Sequence, residues 1–293
     1  MNDSIILTFD LEEWFHLCLA DDTIDEWSNH EKRFKDNISF LLELLNSKNI
    51  KATFLVLGWI AKEYPEVIKE ISKQGHDIGS HSYFHELIYN QSYDQFKEDL
   101  NKSLAILENI TEKQIEIYRA PAFSINDQTK WALELLIERG IRYDLSLFQG
   151  NHSLGGISGI KINEPFFIET SSGTLLEYPI SITDILNVSF ATCGGGYFRL
   201  LPYEIIRQLL KRKSYRMTYF HPRDFDDNQP RIKMSPIKYF KTYIGLKGSK
   251  EKLIKLVTDF RAISLSEDLK QRDMTALPII DIEQLGSQIT INE

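Results

Sequence analysis

The stretch SIILTFDLEEWFH, Ser4 to His16, sets five apolar or β-branched residues ahead of three carboxylates, Asp10, Glu12 and Glu13. A short apolar run of this kind reads as a buried strand. Alternate side chains of a strand share a face, so Asp10 and Glu12 point to one side and Glu13 to the other. Acids just past a strand are often no more than solvated turn residues. The downstream chain decides whether these are.

Strand-like and helix-like segments alternate downstream. Phe34, Ile38, Leu41, Leu42 and Leu45 fall at helical spacing before KATFLVLG (Lys51–Gly58), and an amphipathic stretch covers Ile60 to Ser72. HDIGSH (His76–His81), a helix over Tyr93–Asn109, IEIYRA (Ile115–Ala120), a helix over Asp127–Glu138 and IRYDLS (Ile141–Ser146) continue the pattern. Such alternation predicts an α/β fold: a parallel sheet with crossover helices. Gly75 and Gly140 each close a helical run ahead of a strand, as a left-handed C′ glycine does. A Gly/Ser-rich loop over Gly150–Gly159 leads to strands at Phe166–Glu169 and Thr174–Tyr178. A helix at Tyr203–Lys213, the strand YRMTYF (Tyr215–Phe220) and a helix at Ser249–Phe260 complete the regular part. With no repeat and no linker, one domain over residues 1–264 is expected, with 265–293 as an appendage on its surface.

Composition narrows the function. A net charge of −8 over 293 residues argues against a nucleic-acid surface, which needs clustered Lys and Arg. The basic run KRKSYR (Lys211–Arg216) sits where a helix C-terminus accepts cations. No run approaches a membrane span and no signal-peptide pattern opens the chain, so a cytosolic protein is expected. Cys18 and Cys193 lack the spacing of a zinc ribbon or redox pair and read as two free thiols.

Asp10, His81, Arg119, Asp144 and His221 each fall at the carboxyl end of an expected strand, where α/β barrels and open sheets assemble their sites. Each alone has a structural explanation, as a core histidine or half of an ion pair. Their shared position is what those explanations leave out. In GSHSYFHEL, His81 and His85 are four apart, a spacing that puts two imidazoles on one face of a helical turn. Two histidines with a carboxylate and an open position describe a catalytic site for zinc or a similar divalent metal.

At this point the residues resemble a family, the polysaccharide deacetylases of the chitooligosaccharide-deacetylase type. These are carbohydrate esterases that remove N-acetyl groups with one divalent metal in a distorted (β/α) barrel. TFDLE is similar to the first family motif, HSYFH to the metal motif, YRAPAF to the Arg-x-Pro motif and YFHP to the late histidine motif. KATFLVLGWIAKEYPEVI, YRAPAFSI, GGGYFRLLP and HPRDFDDNQPR further resemble a subgroup associated with surface-polysaccharide and exopolysaccharide gene clusters. One departure stands out: Leu11 occupies the place of the second aspartate of the commonest first motif. Leucine cannot ligate a metal, and Glu12 becomes the candidate.

The resemblance implies a metal, zinc or else cobalt, nickel or manganese, held by Glu12, His81 and His85. It implies Asp10 as general base, His221 as general acid, and Arg119 orienting Asp10 and keeping it ionised. Asp144 is the expected partner of His221, and the Ala122 N–H the expected oxyanion donor beside Pro121. Trp14, Phe123, Tyr197 and Arg199 are candidates for substrate contact, with core packing or a tight structural turn as the alternative. The expected substrate is an N-acetylated or N-formylated sugar or glycan intermediate. A non-sugar amide such as a cyclic imide or ureide, and a catalytically silent carbohydrate-binding barrel, are the rival readings.

Overall fold

The computed structural model describes residues 4–17, 24–149, 154–158, 160–185, 188–191, 193–286 and 289–290. Cys18 and part of the expected Gly150–Gly159 loop lie outside them; Cys193 is a buried free thiol.

An eight-stranded sheet organises the molecule. Its parallel portion runs Thr8–Leu11, Thr53–Val56, Asp77–Ser80, Ile117–Tyr118, Tyr143–Asp144 and Gly173–Glu177. The last of these pairs antiparallel with Phe166–Thr170. The helices Phe34–Ser47, Pro65–Lys73, Tyr93–Thr111 and Trp131–Glu138 make the crossovers. Pro65 splits the expected Ile60–Ser72 helix into Gly58–Glu63 and Pro65–Lys73, because proline lacks the N–H that would continue it. Gly75 and Gly140 both take φ of 83°, the left-handed ending their positions called for. The YRMTYF segment forms isolated bridges, Ile6 to Met217 and Phe9 to Phe220, rather than a continuous strand.

Alternation divides the core into two layers. Phe9, Phe54 and Val56 face the helices with Leu41, Ile60 and Leu100. Leu55, Ile117, Leu145, Tyr178 and Met217 fill the inner side of the curved sheet. Asp10 is in register with Leu55, so it shares the inner face, and Glu12 follows it there two residues on.

The region beyond 264 is not an appendage. Ile279–Asp281 pairs in parallel with Phe166–Thr170 and forms one edge of the sheet. Leu265, Ile280 and Leu285 are buried in the core. An edge strand leaves a row of backbone groups to be satisfied, and this segment satisfies them. Its apolar run, LPII, is too short to announce a sheet strand by itself.

Candidate active site

One register row crosses the sheet through Leu11, Val56, Ser80, Tyr118, Asp144 and Glu177. The residues just past it are Glu12, His81 and Arg119, and the bridge between Phe9 and Phe220 brings His221 to the same rim. Buried polar groups gather here.

Glu12, His81 and His85 put one ligand atom each within 4.8 Å of the others. Glu12 Oε1 stands 3.1 Å from His81 Nε2 and 2.9 Å from His85 Nε2. His81 donates its Nδ1–H to the Arg119 carbonyl at 2.8 Å, so in the neutral ring Nε2 carries a lone pair toward the carboxylate. Lone pairs facing each other require a cation between them or a proton on the ring. Ligand atoms around a tetrahedral zinc stand roughly 3–3.5 Å apart, close to these separations, and the Nδ1 bond to a backbone carbonyl is the usual orienting contact of a metal-binding histidine. The donor set therefore fits a divalent ion. Burial pushes the Glu12 carboxyl up, but His85, His221 and the bonds from His81 and His85 together hold it well below its ordinary range.

The two histidines do not lie on a helical turn. They belong to a loop in which Ser82 and His85 are both left-handed, with φ of 69° and 58°. Asp99, buried on the Tyr93–Thr111 helix, shapes it: its carboxylate accepts from Ser82 Oγ at 2.5 Å, Tyr83 N at 2.7 Å and Phe84 N at 3.0 Å. Left-handed non-glycine residues cost about 1–2 kcal/mol each, and these bonds offset that cost. Helical spacing was the wrong reason for a pairing that the loop achieves.

Asp10 accepts from Arg119 Nη1 at 2.6 Å, and Arg119 is fully buried with further bonds to Thr8 Oγ1 at 2.9 Å and the Leu145 carbonyl at 3.2 Å. His221 Nε2 lies 4.0 Å from Asp10 Oδ2 and 3.7 Å from Glu12 Oε1. Its Nδ1 bonds Asp224 Oδ2 at 3.0 Å, not Asp144. Asp144 accepts instead from Ser146 Oγ and faces Glu177 behind Arg119; burial raises both carboxyls, Glu177 more strongly. Asp224 was missed because it sits three residues past the histidine, inside the turn Pro222–Phe225, where it reads as a capping acid. Burial opposes protonation of His221, but Glu12 and Asp224 outweigh it and raise its pKa.

Arg199 turns inward. It is buried, sits 3.2 Å from Asp224 Oδ1 and donates to the carbonyls of Gly195, Thr242 and Lys241. The glycines before it are steric necessities: a Cβ on Gly194 would collide with the Tyr219 ring, and one on Gly195 would meet the Asp224 carboxylate at 2.8 Å. The GGGYFR segment thus seats the His221–Asp224 pair, and of its side chains only Tyr197 is exposed enough to meet a substrate. Trp14 is buried, donating Nε1–H to the Glu31 carbonyl, and Phe123 packs edge-on against Tyr219, so both are core residues. Ala122 and Phe123 are both left-handed, at φ 49° and 53°, which turns this strained backbone at the rim. Glu13, two residues past the end of the Thr8–Leu11 strand, accepts the N–H groups of Arg33 and Phe34 at the start of the next helix.

With this geometry in place, the chain can be set beside known proteins. The polysaccharide deacetylase family model matches residues 2–139. Over these residues, just under half of the chain, the protein is similar to the polysaccharide deacetylase family. A second model, a domain of unknown function (DUF3473), matches residues 145–270. Asp10, Glu12, His81, His85 and Arg119 come from the deacetylase portion, whereas Arg199, His221 and Asp224 come from the second, so the site is assembled from both. The chain is 34% identical over 95 residues to a peptidoglycan-N-acetylglucosamine deacetylase of Bacillus cereus, covering 32% of this chain and 34% of that one. It is 33% identical over 81 residues to a peptidoglycan-N-acetylmuramic acid deacetylase of Bacillus subtilis, covering 28% and 31% respectively. The matches thus span about a third of these relatives. The fold resembles that of a Mycobacterium smegmatis protein described as a polysaccharide deacetylase, at 18% identity and TM-score 0.64 over 99% of this chain and 94% of the other. Their likeness supports the distorted α/β barrel.

Proposed function

We propose that this protein is a metal-dependent N-deacetylase of the polysaccharide deacetylase type, acting on an N-acetylated sugar of a cell-surface glycan. The observation that carries the reading is the convergence of Glu12, His81 and His85 on one point, with Asp10 and His221 beside it. The curated relatives named for peptidoglycan deacetylation support the substrate class.

Glu12, His81 and His85 would hold a divalent ion, zinc being the best match to two imidazoles and a carboxylate. When bound, such an ion polarises an amide carbonyl and makes water more acidic. Asp10, clamped by Arg119, accepts the proton of the attacking water. His221 then delivers a proton from Nε2 to the leaving amine, with Asp224 holding Nδ1–H so that Nε2 faces the site. Tyr197 offers an exposed ring for a sugar face.

The test is acetate release from N-acetylglucosamine oligomers by purified, zinc-loaded protein. Release that stops with chelator, with His81→Ala and with Asp10→Asn supports the reading. Turnover of cyclic imides in preference to acetamido sugars would replace it, and a protein that binds no stoichiometric metal would remove it.

A further inference from the structure

One surface feature plays no part in the site chemistry. Residues 228–250 contain Arg231, Lys233, Lys238, Lys241, Lys247 and Lys250 and no acidic residue, in a chain of net charge −8. Within this segment the helix Pro236–Tyr243 buries only its last two residues, Thr242 and Tyr243. It leaves Ile237 71%, Phe240 53% and Tyr239 42% exposed. An aliphatic and two aromatic side chains held in water beside exposed lysines are costly for a surface that meets only solvent.

We propose that the Pro236–Tyr243 helix docks the protein on an anionic lipid surface, its apolar side chains entering the headgroup boundary and the flanking lysines meeting lipid phosphates. Charge decides the occupant. A uniformly basic segment carrying exposed Ile, Phe and Tyr is what an interfacial helix requires, because apolar burial and attraction to acidic lipids act together. A second copy docked symmetrically through this same face would instead bring six cations against the same six. No helix among the described residues is long and apolar enough to cross a membrane.

The helix is tied to the rim of the site. Arg199 donates to the carbonyls of Lys241, Thr242 and Ile244 at its C-terminal end and reaches Asp224 with the same guanidinium. Docking through this helix therefore brings the side of the molecule that holds His221 toward the bilayer. The inference does not depend on the proposed reaction, since its test reads partitioning and not turnover.

Vesicle co-sedimentation tests it, with phosphatidylcholine alone and with an equal mixture of phosphatidylcholine and phosphatidylglycerol. The full chain should partition at least ~10-fold more strongly onto the mixed vesicles, and less so as salt rises. The pairs Ile237→Ser with Phe240→Ser, and Lys233→Glu with Lys241→Glu, should each lower that partitioning by ~10-fold or more while the thermal midpoint stays within a few degrees. Equal binding to both vesicle types, or unchanged binding by either pair, overturns the proposal. So does an apolar pair that leaves vesicle binding intact but converts a dimer to a monomer in gel filtration, which would make a second copy the occupant.

Discussion

His221 Nδ1 lies 3.0 Å from Asp224 Oδ2, and the same carboxylate oxygen accepts the His221 backbone N–H at 2.9 Å. One acid thus fixes both the backbone and the ring of the imidazole that faces Asp10 and Glu12. Arg199 and the close approach of Gly195 hold that acid from behind.

Asp224→Asn should therefore reduce kcat for deacetylation ~10²-fold or more with a smaller effect on KM, because the general acid loses its orientation. It should also move the alkaline limb of the pH profile downward, since Asp224 raises the His221 pKa. Asp144→Asn should leave that limb in place. A profile that responds to Asp144 and not to Asp224 would reverse the assignment.

Glu12 and Glu13 are adjacent in sequence and opposite in role. Glu12→Ala should abolish stoichiometric metal binding, read by elemental analysis. Glu13→Ala should retain the metal and lose ~1–2 kcal/mol of stability in urea, through the orphaned N–H groups of Arg33 and Phe34. Metal loss in the Glu13 variant alone would exchange their roles.

Asp99 is not one of the three candidate ligands, yet its carboxylate shapes the loop that carries His85. Asp99→Ala should weaken metal binding ~10–100-fold, the usual effect of losing an outer support, as measured by competition with a chelating dye. Affinity equal to that of the parent protein would show that the loop holds its shape without it.

His76 supplies a pH test away from the site. It is packed against Phe54 and accepts the Ala52 N–H, and burial lowers its pKa from 6.5 to about 4. The unfolded chain binds this proton at higher pH than the folded one, so its contribution to stability is complete above 6.5. It falls away as pH drops from 6.5 toward about 4. His16 shares the sign of this shift, so the informative quantity is the difference between the parent protein and His76→Gln. Urea midpoints at several pH values should show a shallower decline in the variant over that interval; parallel curves would contradict the shift.

Much of this arrangement was legible in one dimension. Alternation of apolar strands and amphipathic helices implied the parallel sheet, and strand parity favoured Glu12 over Glu13 as the candidate ligand without deciding between them. The position of Asp10, His81, Arg119 and His221 past their strands implied a common rim, and the structure brings these four together. Other features were hidden because the signals were local and ambiguous. Asp224 resembles a turn cap, Asp99 is one acid on a charged helix, and Arg199 looks like a surface cation until its carbonyl partners are seen.

The sequence by itself determined which residues face inward and at which end of the sheet they gather, because pleat and crossover follow from side-chain periodicity. Only the tertiary structure decided who pairs with whom: Asp224 rather than Asp144 with His221, a left-handed loop rather than a helical turn for His85, a sheet strand rather than an appendage for Ile279–Asp281. Those choices depend on hydrogen bonds and steric fits between segments more than a hundred residues apart, such as Arg119 to Asp10 and Thr8 to Thr218. No local pattern encodes them, since each is settled by which buried polar group would otherwise be left without a partner.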